Sequence, residues 1–393
     1  NTRLEVVTEG ILTRMMQSDN ALEEVGMVIF DEFHERSLFA DVALALCRDM
    51  QKILRPDLRM VIMSATLDTE KISTLLKAPV IESQGKQYPV EITYIGPSDL
   101  SILPESAARA ALNAIKNDKG DILVFLPGEG EIHQCEEILR KKTQSISIHP
   151  LYGRLTPSQQ MAAIMPRRDG KRKIVLATSI AETSLTIDGV SIVIDCGFGR
   201  NHRFDPGTGL SKLETTAISK DSADQRAGRA GRLGPGKCYR LWSLADHYRL
   251  ASHRTPEISD ADLSPLMLEM ARWGVEDIYD LTWVTPPPQS HIVQASELLH
   301  QLKALDKGKI TPHGRHMADI PCHPRLAHML IKARESNQLA LATDIAALLE
   351  EKDPMPKETG IDINIRIEAL RRSRRSGTES KLCSKIERSA ASY

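Results

Sequence analysis

Five short runs constrain this chain most: VGMVIF (25–30), RMVIMS (59–64), DILVFL (121–126), RKIVLA (172–177) and VSIVIDC (190–196). Each is apolar and rich in β-branched residues, without the polar alternation of a strand that has one wet face. A continuous apolar strand needs cover on both sides, which is the situation of parallel strands in an α/β sheet. The segments between the runs carry a helical period. Leu38, Val42, Ala45, Leu46 and Ile53 recur within 37–54, and Ile132, Cys135, Glu136 and Leu139 within 128–140. A helix after each strand gives βαβ units. The expected class is α/β with parallel sheets, and 393 residues are enough for several cores rather than one.

Between Gln84 and Pro97 this pattern gives way to a polar, Pro-containing connection, so a boundary is expected near Tyr88. After Leu241 strands disappear and helical segments dominate, interrupted by Pro286, Pro287 and Pro288. The ITPHG turn at 310–314 suits a small wing, and RRSRR (371–375) leads into a polar, frayed or cut end. Lys+Arg (51) nearly balance Asp+Glu (52), which excludes a globally basic nucleic-acid coat protein; any nucleic-acid site must be a local patch. No apolar run approaches the ~20 residues of a membrane-spanning helix. The opening NTRLEVVTEG lacks a signal-peptide pattern, so a soluble, cytoplasmic protein away from membranes is expected. Cys47, Cys135, Cys196, Cys238, Cys322 and Cys383 are scattered without CxxC pairs, as reduced, mostly buried thiols would be.

Asp31 and Glu32 directly follow the first run and belong at the carboxyl end of a strand, the edge where α/β sheets bind ligands. There one carboxylate can hold Mg²⁺ through water while a second positions and deprotonates an attacking water. The bland alternative is two solvated acids in a turn or at a helix N-terminus. Ser64-Ala65-Thr66 follows the next run and would share that edge if the two strands are neighbours; taken singly it reads as a helix-capping turn, with Thr66 or Asp68 as cap. In QRAGRAGR (225–232), a helix capped by Asp221, Ser222 or Asp224 would space Arg226, Arg229 and Arg232 along one face, with Ala and Gly permitting close approach. Such a row suits a polyphosphate, and an arginine delivered to a γ-phosphate is worth roughly 10³–10⁵ in rate. A solvated basic face or an RNA-phosphate patch is the alternative.

Gly231 to Cys238 nearly matches the phosphate-loop pattern GxxxxGK[ST] but follows the arginine helix and leads into the strand-like KCYRLWS, and Cys238 stands where a hydroxyl is needed. It cannot present its amides to phosphates as a strand-to-helix loop does. The Gly-Lys pairs at 85–86, 170–171 and 308–309 lack the upstream Gly and the hydroxyl. Thr178, Ser179 and the hydroxyl-rich 181–186 segment follow the fourth run and could hydrogen-bond a phosphate backbone without net charge. RFDPGTGL (203–210) has turn chemistry between extended flanks and reads as a hairpin. His313, His316, Cys322, His323 and His328 match no metal-ligand frame, and Pro321 and Pro324 break the helix that would present them together.

Taken in order, Asp-Glu-Phe-His (31–34), Ser-Ala-Thr (64–66), ATSIAETSLTIDG (177–189) and QRAGRAGR resemble the DEAH/RHA group of superfamily 2 ATP-dependent RNA helicases, and Phe33 makes the chain look most like the bacterial HrpB branch. The resemblance extends through TEGILTR (8–14), FLPGEGEI (125–132), LYGRLTPSQQ (151–160) and RFDPGTGL into PEISDADLSPLMLEM and PCHPRLAHML. It implies two RecA-like domains, residues 1–88 (the C-terminal part of the first) and 89–245, then a winged-helix-like domain over 246–320 and the start of a helical bundle over 321–393. ATP and Mg²⁺ would be the cofactors and RNA the partner of a monomer. Asp31 would hold Mg²⁺ through water, Glu32 activate water and His34 link the nucleotide to the second domain. Ser64 and Thr66 would couple hydrolysis to 3′-to-5′ unwinding. Gln225, Arg229 and Arg232 would reach the γ-phosphate, with Asp188 near the nucleotide ribose or the domain interface. Thr8, Thr178 and Thr183 would touch the RNA backbone, and Arg203–Leu210 would separate strands.

Two departures from the family pattern matter. Ser179 replaces an Asn, and the family's phosphate loop would precede Asn1, so a fragment that hydrolyses ATP poorly by itself is expected. Without its first strands, the first domain is expected to expose a sheet edge. The competing reading is a non-catalytic RNA-binding or scaffold module that keeps helicase architecture. Translocation on DNA is a third, since backbone contacts do not read the 2′-OH.

Overall fold

A computed structural model describes residues 3–65, 69–83, 85, 88–96, 99–143, 146–166, 170–182, 185–205, 207, 209–376 and 381–393. Thr66 and Thr183 lie outside the described residues. The chain divides into two compact units, residues 1–261 with 282–286, and residues 262–281 with 287–393.

The first unit opens with α1 (Glu9–Ser18), β1 (Met27–Phe30), α2 (Leu38–Ile53), β2 (Arg59–Ile62) and α3 (Thr69–Leu76). Strands β1 and β2 pair in parallel, Met27 with Arg59 through Phe30 with Ile62. The Ser37 hydroxyl caps α2 by accepting from Ala40 N, and the helix buries Val42, Ala43, Ala45 and Leu46. Cover on both faces was expected for these strands, but Met27 (44% exposed), Ile29 (48%) and Val61 (37%) reach solvent. Alternate residues of a strand point to opposite faces, and among the described residues the side bearing Met27 and Ile29 lacks the cover that Val28 and Phe30 have.

In the second sheet the runs at 121–126, 172–177 and 190–196 have the expected cover on both faces. Its elements are β3 (Val90–Tyr94), α4 (Leu103–Asn117), β4 (Asp121–Phe125), α5 (Glu129–Lys142), β5 (Ser147–Leu151), α6 (Pro157–Ile164), β6 (Lys173–Ala177) and β7 (Val190–Asp195). There follow the hairpin β8 (Phe198–Asp205) and β9 (Leu210–Ala217), then α7 (Lys220–Gly228), β10 (Gly236–Arg240) and α8 (Leu244–Arg249). Six strands pair in the order β3-β10-β7-β4-β6-β5, all parallel. Ile122, Val124, Ile174, Leu176, Ile192 and Ile194 pack on one face with Ala107, Ala111, Ile132, Cys135 and Leu139 of α4 and α5. Leu123, Phe125, Val175, Ala177 and Val193 fill the other with Ala163, Ala227 and Ala230. That two-sided burial is the origin of the unbroken apolar runs. Pro150, which has no N–H to give a ladder, sits in the edge strand β5. Buried Lys173 donates to the carbonyls of Ala163, Ile164 and Met165 and so caps the end of α6.

Residues 246–261 are tied to the first unit by backbone hydrogen bonds. Lys220 N and Asp221 N donate to Ala251 O and Ser252 O, and Phe204 N donates to Asp260 O. The second unit contains α9 (Ser264–Trp273), α10 (Gln289–Gln301), the two-residue strands β11 (Leu305–Asp306) and β12 (Lys309–Ile310), α11 (Pro312–Asp319), α12 (Pro324–Glu335), α13 (Leu339–Glu350), α14 (Ile363–Ser376) and α15 (Lys381–Ser392). β11 and β12 form the small wing, and the ITPHG turn supplies its last residue and the Thr311 cap of α11. Among the described residues no helix is long and apolar enough to cross a membrane.

Three histidines of this unit make local contacts. His313 Nε2 lies 2.9 Å from His328 Nδ1. His323 Nδ1 accepts from Arg325 N at the start of α12, so its Nε2 carries the proton and donates to Asp262 at 2.9 Å, while Asp262 accepts from Ser264 N at the start of α9. Burial pushes the Asp262 carboxyl up, but the His323 ring and the Ser264 amide outweigh it and hold it below its ordinary value. A carboxylate so lowered stabilises the fold above its unfolded pKa, and that contribution is lost as pH falls through the folded value. The second unit is therefore expected to lose stability below about pH 4. Asp262→Asn should flatten that limb of the thermal-unfolding profile, and an unchanged limb would assign the acid sensitivity elsewhere.

Candidate functional site

The Asp-Glu-Phe-His turn leaves β1 at its carboxyl end, and the two strand ends are tied to each other. Met63 N donates to Phe30 O at 2.8 Å and Phe33 N to Met63 O at 3.1 Å, which brings exposed Ser64 beside Asp31–His34. Asp31 is exposed and its Oδ1 accepts from Glu32 N at 2.8 Å. Glu32 has a left-handed backbone (φ 50°, ψ 33°), a conformation that costs a non-glycine residue about 1–3 kcal/mol and persists where surroundings impose it. Phe33 is buried, edge-on to Phe30 at 6.2 Å, with the Arg36 guanidinium 5.7 Å over its ring. His34 is also buried. Its Nδ1 lies 3.4 Å from Glu32 Oε2, and neither ring nitrogen has a hydrogen-bond partner among the described residues. A buried ring with two unsatisfied nitrogens is suited to receiving a ligand or a moving element.

The arginine segment differs from the single basic face expected. Ser219 is the N-cap residue of α7, so Asp221, Ser222 and Asp224 lie inside the helix rather than capping it, and a 3₁₀ turn over Arg229–Gly231 follows. Arg226 points into the protein, 2% exposed. It donates to Glu182 Oε2 (3.1 Å), Asp195 Oδ1 (2.9 Å) and Phe198 O (3.2 Å), and its guanidinium lies 4.9 Å over the Phe125 ring. Glu182 is also bonded by Ser222 Oγ and by Arg254 Nη2 at 2.8 Å. A row of three guanidiniums on one face cannot survive this, because Glu182 and Asp195 are buried and need a cation.

Arg229 is buried beside this cluster, whereas Arg232 is exposed. Arg229 donates to Glu182 O and, at 2.7 Å, to Leu185 O, while exposed Arg232 donates to Thr186 Oγ1 at 2.6 Å. Burial, together with the Arg232 charge, pulls Arg229 down to about 10, with Glu32 the first of the charges that oppose the fall. The guanidinium and the Glu32 carboxylate, from different sheets, therefore feel each other. Gln225 is half-buried on α7. Asp188 is exposed, two residues before β7 begins, so it shares the amino edge of the second sheet with Arg232, whereas Thr178 follows β6 at the carboxyl edge. Exposed Thr8 is the N-cap residue of α1 without a side-chain capping bond. The β8–β9 hairpin pairs Arg203 with Lys212 through Asp205 with Leu210, and Pro206 and Thr208 lie outside the described residues. The Gly231–Cys238 look-alike runs from the 3₁₀ turn into β10, and a side chain at Gly236 would strike the Ala230 carbonyl, so close packing rather than phosphate requires that glycine.

Exposed Asp31 supplies the hard oxygen that Mg²⁺ takes, and Arg229 and Arg232 supply donors suited to phosphate, so the residues fit a Mg²⁺-nucleotide. Glu182, Asp195 and Arg254 were not singled out from sequence. Asp195 was the most accessible of them, since an acid that ends an apolar strand must find a cation.

Comparison with known proteins identifies the family. Residues 1–75 match the DEAD/DEAH box helicase family, 106–234 the helicase conserved C-terminal domain, and 297–322 the winged-helix helicase associated domain (HA2). The chain belongs to the DEAH/RHA group of helicases. Within it the likeness is to the HrpB branch: the ATP-dependent RNA helicase HrpB of Escherichia coli is 46% identical over 357 residues, 90% of this chain and 44% of that protein. The probable ATP-dependent RNA helicase DHR2 of Saccharomyces cerevisiae is 36% identical over 91% of this chain and 51% of its own length. The crystal structure of the E. coli DEAH/RHA helicase HrpB superposes with a TM-score of 0.88 at 42% identity, covering 100% of this chain and 49% of that one. The chain thus spans about half the length of these relatives.

Removing the cation from the buried cluster tests its role. Arg226→Met is expected to destabilise the first unit by roughly 3–5 kcal/mol, because two carboxylates stay buried without their partner. Denaturant unfolding measures this, and a loss under about 1 kcal/mol would mean that the carboxylates find other partners.

Proposed function

We propose that this chain carries the hydrolytic and RNA-tracking parts of an ATP-dependent RNA helicase that moves 3′-to-5′. The observation that carries the reading is the Asp31–His34 turn at the end of β1, where Glu32 has a left-handed backbone and buried His34 has both ring nitrogens without a partner among the described residues; the influence of the Glu32 charge on Arg229 of the second sheet supports it. An acid able to activate water and an arginine able to meet phosphate charge thus come from two sheets, as phosphoryl transfer between closing domains requires.

When bound, Mg²⁺ supplies neutralisation of charge on the β- and γ-phosphates. Asp31 would hold it through water. Glu32 orients and deprotonates the attacking water, and its left-handed backbone aims the carboxylate out of the strand end. Arg229 and Arg232, with Gln225, meet the γ-phosphate, and Asp188 approaches the ribose. Arg229 is already partly desolvated, so its charge acts with little screening. His34 links the turn to the second sheet, and Ser64 with Thr66 passes the nucleotide state toward RNA. Thr8, Thr178 and Thr183 bind phosphates of the RNA backbone, and the hairpin around Arg203–Leu210 splits the duplex. We assign residues 1–88 and 89–245 to two RecA-like domains, 246–320 to a winged-helix part and 321–393 to the start of a helical bundle. The reading takes the protein as a cytoplasmic monomer.

These 393 residues contain no strand-to-helix GxxxxGK[ST] loop, and we propose that the chain by itself turns over ATP slowly. Turnover should be measured with and without single-stranded RNA, for this chain and for the chain extended at its N-terminus by a family phosphate-loop segment. RNA-stimulated turnover confined to the extended form, and lowered by roughly 10³-fold or more in Glu32→Gln, is expected. RNA binding without turnover in either form would overturn the helicase reading and leave the scaffold.

A further inference from the structure

The chain passes between its two units at three peptide bonds, Ala261–Asp262, Leu281–Thr282 and Pro286–Pro287. Residues of the first unit that flank these passages grip the segment directly after the candidate hydrolytic turn. Glu257 N donates to Arg36 O at 3.1 Å, and Leu38 N donates to Glu257 Oε2 at 2.8 Å. The Glu257 carboxylate therefore sits at the N-terminus of α2, where orphan amides and the helix dipole favour an anion. Arg36 Nη2 donates to Thr285 Oγ1 at 2.9 Å, and Lys52 Nζ to Thr282 Oγ1 at 2.7 Å. Ile258, Trp283 and Val284 are buried, so the flanking segments are packed in place.

Arg36 is the residue on which these contacts converge. It follows His34 by two positions and has a left-handed backbone (φ 50°). Its guanidinium grips buried Asp41 with two bonds, 3.0 and 3.1 Å, and covers the Phe33 ring. The Asp31–His34 turn thus begins at β1 and ends at an arginine held from residues far along the chain. Neither Glu257 nor Thr285 belongs to the acid, hydroxyl or arginine motifs that define the candidate site.

We propose that Glu257 and Thr285 are positioning residues for the Asp31–His34 turn, and that through their grip on Arg36 and α2 they hold the candidate hydrolytic carboxylates in place. The consequence for hydrolysis rests on the function proposed above; the grip on the turn does not. Loss of Glu257 or Thr285 acts first on Arg36 O, Leu38 N and the guanidinium. Releasing these frees a backbone that left-handed geometry at Glu32 and Arg36 does not favour.

Amide hydrogen exchange on the 393-residue chain tests the grip, because local opening exposes amides without global unfolding. Thr285→Val and Glu257→Gln are expected to speed exchange across Phe33–Asp41 at least about tenfold, while the amides of β4, β6 and β7 keep wild-type protection. Thr285→Ser retains the hydroxyl and should restore the wild-type rate in the turn. Faster exchange confined to 282–286, or equal acceleration in all variants including Thr285→Ser, would overturn the proposal. In the extended chain, Thr285→Val should lower kcat with the KM for ATP unchanged; unchanged kcat despite a loosened turn would overturn the positioning role. If the extended wild type does not hydrolyse ATP, the function reading fails and the coupling to hydrolysis fails with it, while the exchange result alone decides whether Glu257 and Thr285 hold the turn.

Discussion

Arg226 fixes the geometry of the second sheet's functional end. Its guanidinium is enclosed with Glu182 and Asp195, and the three come from the helix after the hairpin, the loop after β6 and the end of β7. Buried charges of both signs are tolerable only when each remains against its partner, so none of these elements can shift alone. Arg254 and Ser222 complete the coordination of Glu182 and extend the constraint to the segment after α8. The 3₁₀ turn that bears Arg229 and the loop that receives it are thereby held in register. Arg229 bonds the Glu182 carbonyl from that turn.

The same loop spans the sheet. Thr178 stands at the carboxyl end of β6 and Asp188 before the amino end of β7, and these parallel strands flank β4. At about 3.3 Å per residue the five residues of β6 separate the two edges by roughly 17 Å. Thr178, proposed for RNA, and Asp188, proposed for nucleotide, therefore lie at opposite edges of one close-packed sheet. A rigid body so loaded at both ends moves as a whole, which is the mechanical requirement for turning a nucleotide cycle into motion along a strand.

The parallel sheet was legible because burial on both faces leaves an unbroken apolar signature, and β4, β6 and β7 carry it. The same signature at β1 and β2 overstated their cover, since sequence records what a face is suited to and not what covers it. Arginine spacing identified the segment 225–232 but could not sort its members. Arg226 is distinguished by Glu182 and Asp195, 44 and 31 residues away, and no local period encodes such pairs. Thr285 was invisible for the same reason, its partner Arg36 lying 249 residues upstream. The histidine-rich segment was legible only as chemistry without a frame, and helix capping through His323 is a use that spacing does not reveal.

Phe33 joins the candidate turn to that long-range contact. A small side chain at this position would leave Phe30 and Arg36 without their shared partner, and the guanidinium would have fewer reasons to lie over the turn. With phenylalanine present, the ring supports Arg36 from one side while Asp41 and Thr285 hold it from the other. The left-handed backbones at Glu32 and Arg36 bracket this packed ring, so the strain at the carboxylate is held by hydrophobic burial and by hydrogen bonds together. Groups that share one guanidinium do not contribute independently. The position of Glu32 accordingly depends on the ring, the acid and the threonine as a set, which makes the turn stiff while all are in place and open to release when one is withdrawn.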